Sequence, residues 1–303
     1  NSTHWRDEAF RLFGLQESHK AINLLEDTIL DLEVDVLERA TASWILEGAE
    51  RQRAKKPQSD HEIQKMQVAP LIDGSLDEPW NATQGIPLDQ PRYVRGLQGA
   101  GEPRIPWQDR SDLSGRVFLG WSEEGLHIAV DIDDDNVTTH NRDAKRWIGD
   151  CLVLVLDTRG DGGVRPRSDD QVLTLAFVPP KPQPIAPEGE AEGEGEPSPP
   201  FNEEEEEEEP EGEHIVVRRA DGTGAVYEMT IPWTSIAEQR GEGDSVPWLG
   251  MRMRSGLAIT DDDTGRGATK YLGLTPGMVL HRDLSRIWEG CSPDLMLPVR
   301  LGR

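Results

Sequence analysis

The sequence predicts a mainly β protein, an antiparallel β-sandwich of jelly-roll-like type, preceded by an N-terminal α-helical segment. Three observations point there. Short runs of strand period fill the chain from about residue 66 onward, Gly, Pro and Asp turns separate them, and no helical pattern comes between them. The first 65 residues are different in kind. They have no Gly from Leu15 through Glu47 and no Pro before Pro57. Ile22, Leu25, Ile29, Leu32 and Val36 recur at spacings of three and four, which makes one stripe of a helix, and Leu24, Leu30 and Leu37 widen it.

Gly14 suggests a short first helix, a turn and then a longer one, so residues 1–65 read as a helical hairpin or one long amphipathic helix. A stripe of this kind must be covered. It docks on the sandwich, pairs with another chain through residues 16–54, or ends a preceding helical domain.

Residues 66–303 supply the strands. Val117–Trp121 is apolar, and in Leu126–Ile132 the residues Leu126, Ile128, Val130 and Ile132 share one face. Cys151–Leu156 is apolar without alternation, the mark of a strand covered on both sides. Further strands are expected at 172–178, 214–217, 226–231 and 250–259.

An insertion at 180–213 interrupts this series. From Lys181 to Glu213 the chain holds fourteen glutamates and one lysine, −13 of the formal net charge of −25. Glu203–Glu209 repel one another and nothing there buries apolar area, so the segment reads as a disordered acidic connection. The acidity excludes nucleic acid and anionic membrane as partners, since phosphates are repelled. No run of eighteen apolar residues spans a membrane. The chain begins at Asn1 rather than Met, so it is expected to be a processed product or a fragment.

Catalytic signatures are lacking. Neither a G-x-S-x-G elbow nor an H-E-x-x-H motif occurs, and the seven histidines are dispersed. Two acidic stretches are oxygen-rich: Asp131, Asp133, Asp134 and Asp135, and then Asp261, Asp262 and Asp263. Both also read as solvated turns. The two cysteines, Cys151 and Cys291, rule out a cysteine-rich zinc site and read either as one long-range disulfide or as two thiols.

Several ordered elements carry a family resemblance. Ile72-Asp73-Gly74-Ser75-Leu76-Asp77-Glu78-Pro79-Trp80 comes first. Leu119-Gly120-Trp121, a turn and Leu126–Val130 follow, with the acidic cluster after them. Trp147-Ile148-Gly149-Asp150 then leads into a strand ending at Asp157. Tyr227–Trp233 closes on Ile-Pro-Trp, and Trp288 stands in a late loop. In this order they resemble a family-9 carbohydrate-binding module, a group whose wider relatives share a DOMON-like β-sandwich.

The resemblance implies a secreted, extracellular or periplasmic binding module with a poly- or oligosaccharide as partner and no catalytic residues. The sugar is stacked between Trp147 and Trp288, with Asp150 and Gln171 among the polar contacts. A pyranose presents a face of C–H groups to an indole, and its rim hydroxyls need polar partners. The resemblance further implies structural calcium, for which Asp131, Asp133, Asp134 and Asp135 are the expected ligands. It also brings Cys151 and Cys291 toward each other, as residues four after Trp147 and three after Trp288.

The chain departs from the family where Val153 replaces an expected carboxylate and Leu173 and Leu175 replace polar residues. The alternative is therefore a structural or interaction module with a degenerate sugar site that assembles through its helices. A haem-binding electron-transfer domain is a second alternative, with Met251, Met253, His127 and His281 as axial candidates.

Overall fold

The computed structural model describes residues 19–31, 33–54, 58–76, 79–97, 107–138, 149–176, 212–241, 247–281 and 290–303. It is mainly β, as expected. Trp147, Trp288, Leu32 and the acidic run lie outside the described residues.

Two helices lead. Helix α1 (His19–Leu30) and helix α2 (Val36–Ala54) form a hairpin rather than one long helix. The break has a local cause: the Asp31 carboxylate accepts the Glu33 N–H, and a new first turn starts where Arg39 N–H donates to the Asp35 carbonyl. Ile22, Leu25, Ile29, Ala42 and Leu46 pack between the helices.

The hairpin docks on the sandwich through polar links. Arg39 is buried and donates to the carbonyls of Ile29 and Trp107 at 2.8 and 3.0 Å. Arg51 reaches the Pro276 carbonyl at 3.0 Å, and Arg92 pairs with Glu26 at 2.9 Å. The apolar stripe is thus covered by the second helix of the hairpin, through Ala42 and Leu46, while the hairpin reaches the sandwich by these polar links.

The strands are β1 (His61–Lys65), β2 (Ile86–Leu88), β3 (Val94–Gly96), β4 (Leu113–Trp121), β5 (Gly125–Asp134), β6 (Cys151–Asp157), β7 (Asp170–Ala176), β8 (His214–Arg218), β9 (Gly224–Pro232), β10 (Arg252–Asp261), β11 (Lys270–Gly273) and β12 (Leu297–Leu301). A short helix α3 (Trp233–Arg240) follows β9. Residues 61–65, read with the helical segment on sequence, are thus the first strand.

The first sheet runs β7–β6–β10, and β10 then pairs with β12 and β11 in turn along its other edge. The second sheet runs β4–β5–β9–β8, with β1 and β2 sharing the free edge of β4. Strand β1 joins the two layers, because His61–Ile63 pair with β12 and Gln64–Lys65 pair with β4, both in parallel.

The pleat sorts the side chains. Between the sheets lie Val117, Leu119 and Trp121 of β4, Leu126, Ile128 and Val130 of β5, Leu152, Leu154 and Leu156 of β6, and Tyr227, Met229 and Ile231 of β9. Each such burial contributes about 1.5–3 kcal/mol before entropy is counted. Trp121 and Trp233 meet edge to face at 6.4 Å, their N–H groups donating to the carbonyls of Gly302 and Ser122.

Candidate functional site

The outer face of the first sheet is where the two segments leading to Trp147 and Trp288 attach. Cys151 opens β6 and points outward with Val153 and Val155, the core-facing residues being their even-numbered neighbours. A loop crosses this face and covers it with Met278, Leu280, Cys291 and Met296. The loop is closed on itself: Ser292 N–H donates to the Gly277 carbonyl at 2.8 Å, and the Tyr271 hydroxyl donates to the Met278 carbonyl at 2.9 Å. Gly290 lies so close to Val279 that a Cβ there would come within 2.2 Å of the Val279 carbonyl oxygen.

Cys151 and Cys291 both belong to this apolar cluster. The disulfide is not formed, however: both are free, buried thiols. Burial pushes Cys151 up to about 12 and Cys291 up to about 11, so neither carries thiolate character near neutrality.

Val153 is fully buried beneath this layer, so nothing at that position could meet a ligand. On β7 the residues sharing the outward side with Val153 are Val172, Thr174 and Ala176, paired with Val155, Val153 and Cys151. They are half-buried. Gln171, expected among the sugar contacts, is on the opposite side of the strand. It pairs with core residue Leu156, and its Nε2 donates to Ser235 of α3 at 3.0 Å. Leu173 and Leu175 likewise belong to the inter-sheet core, so their being apolar says nothing about the outer face.

Asp150 is also structural in its present contacts. It is buried and accepts N–H donors from Thr138 and Asp262, drawing together the chain after β5 and the chain after β10. Desolvation, and then the negative charge of Asp134, push its carboxyl up to about 8.

The expected calcium cluster does not assemble. Asp131 and Asp133 point one way from β5 and pair with Arg219, Asp135 is exposed, and Asp134 points inward. The alternation of the pleat separates what the sequence placed side by side. Asp134 meets instead Asp150 and Asp261, and Asp112, Asp261 and Asp263 gather around Lys270. The second acidic stretch thus contributes to the same end of the sandwich as the first, while Asp262 accepts from its own turn at Thr264 and Gly267.

Three of the four haem candidates are engaged elsewhere. Both ring nitrogens of His127 are taken, by the Ser122 and Thr230 hydroxyls at 2.8 and 2.9 Å, and Met251 and Met253 pack in the inter-sheet core.

No family model and no curated protein matches the chain. Among solved structures it is similar to a family-9 carbohydrate-binding module from Caldicellulosiruptor kristjanssonii in complex with cellotriose. The identity is 14%, the TM-score 0.48, and the match covers 80% of this chain and 95% of that one. It is also similar to a family-9 module from the same organism in complex with glucose, at 13% identity and a TM-score of 0.49 over 80% of this chain and 97% of that one.

Proposed function

We propose that the chain is a non-catalytic carbohydrate-binding module that works outside the cytoplasm and holds a sugar between Trp147 and Trp288. One observation carries this reading. Cys151 and Cys291, four residues after Trp147 and three after Trp288, are anchored in a single apolar cluster on the outer face of one sheet. Segments rooted together there can present two indoles to one ligand. Stacking would supply most of the affinity, because the face beneath offers Thr174 and few other polar groups. Among the described residues no helix is long and apolar enough to cross a membrane.

The test is affinity electrophoresis and calorimetry against cello- and xylo-oligosaccharides, with Trp147→Ala and Trp288→Ala beside the parent. Each substitution should cost about 1–3 kcal/mol, a loss of roughly five- to 150-fold. Unchanged binding in both variants would refute the site.

A second reading has its own support. Val153 is covered and β7 presents Val172 and Ala176 outward, so the surface reads equally as a packing face of a structural module. No binding on a broad glycan array would favour it.

A further inference from the structure

Two buried polar side chains beside the edge of the first sheet are left without acceptors. Arg95 of β3 is 3% exposed, and Thr275, just past β11, is 7% exposed. Among the described residues, Arg95 Nε and Nη1 and Thr275 Oγ1 meet no hydrogen-bond partner, and no carboxylate pairs with Arg95.

Register brings these groups together. Arg95 stands opposite Tyr271 of β11, whose ring belongs to the outer layer of the first sheet, so Arg95 projects to that side too. Gly273 follows two residues later on the same side and has no side chain to obstruct the guanidinium. A Cβ there would stand 3.2 Å from Arg95 Nε and 3.5 Å from the Thr275 carbonyl oxygen. Thr275 opens a turn in which the Met278 N–H donates to its carbonyl at 3.2 Å. Helix α2 packs against β3, and its Arg51 donates to the Pro276 carbonyl at 3.0 Å. The unpartnered groups thus lie where the hairpin meets the sandwich.

Electrostatics asks for a counter-charge at this place. A guanidinium is a permanent cation, and burying one without a partner is among the costliest acts in a fold. One such charge and one hydroxyl match a single negative charge. A dianion would bring a second charge that no described group is free to meet.

We propose that Arg95 and Thr275 together bind a small monovalent anion such as chloride. The ion would accept from Arg95 Nε and Nη1 and from the Thr275 hydroxyl. It would neutralise the buried guanidinium and fasten β3 to the turn on which α2 docks. This site stands independently of any sugar.

The experiment is thermal unfolding of the full chain at constant ionic strength, with bulky gluconate exchanged stepwise for chloride, bromide or sulfate. The readout is the Tm difference between the parent and Arg95→Met, which cancels general salt effects. Chloride at roughly a hundred times its dissociation constant should raise the parent by about 5 °C over Arg95→Met, relative to gluconate. Bromide should do the same and sulfate should not. Arg300→Met, at an exposed arginine, should follow the parent. A difference indifferent to chloride overturns the proposal, and one that only sulfate widens overturns the monovalent site. Should Arg95→Met not fold, Thr275→Val takes its place: a chloride midpoint raised about tenfold supports the site, and an unchanged midpoint overturns it.

Discussion

The indole N–H of Trp80 donates to Oε1 of Glu228 at 2.8 Å, across 148 residues of chain. The other oxygen of Glu228 accepts the backbone N–H of Gly74. Both side chains are buried on the outer side of the second sheet. The opening motif therefore acts as a latch: its glycine and its tryptophan close on one acid of β9. Gly74 has a φ of +86°, and a Cβ there would meet Val217 Cγ2 at 2.4 Å, so neither conformation nor space admits another residue.

Glu228→Gln should lower stability by about 1–3 kcal/mol, because an amide cannot accept at both positions and one buried donor is orphaned. Trp80→Phe should cost a similar amount, and the double variant less than the sum. Denaturant unfolding of the three proteins measures this.

His127 gives a pH signature. Desolvation lowers its folded pKa from 6.5 to about 4. The unfolded chain thus takes up a proton that the fold refuses, so stability is full above pH 6.5 and declines as the pH falls toward 4. The loss amounts to about 3 kcal/mol at the limit. Because the raised carboxyl of Asp150 acts in the opposite direction over this range, the measure is the difference between parent and His127→Gln at pH 7.5, 6 and 4.5, which should widen toward low pH by that amount.

The thiols allow a simple count. Native protein should react slowly with an aromatic disulfide reagent, since Cys151 and Cys291 are both buried and protonated. Denatured, unreduced protein should release two equivalents. None would indicate the disulfide.

Gly290 offers a further test of the proposed sugar site. Gly290→Ala must push the chain away from the Val279 carbonyl, moving the segment that carries Trp288. Sugar affinity should drop at least tenfold, about 1.4 kcal/mol, while far-ultraviolet circular dichroism is unchanged.

Much of the sandwich was legible in the sequence because burial writes itself as alternation. Leu126, Ile128, Val130 and Ile132 could face only one way, and the unbroken run Cys151–Leu156 correctly announced two covered faces. Strand β1 was hidden, since His-Glu-Ile-Gln-Lys buries only Ile63 and owes its place to pairing with β12 and β4. On β7 both parities are mostly apolar, so pattern alone could not say that Leu173 looks inward and Thr174 outward. That required its register with β6. The acidic end was legible as composition but not as geometry. Neighbours Asp133 and Asp134 part company at the pleat, while Asp134, Asp150 and Asp261 converge from three separate strand ends.

The parallel pairing of β1 with β12 bears on how the protein carries load. Force entering before His61 and leaving after Leu301 pulls these neighbours in opposite directions along their length. The bonds that register His61 with Val299 and Ile63 with Leu301 are then strained together instead of opening one by one. Single-molecule pulling should find the helical hairpin yielding first and the two-sheet body resisting as a unit.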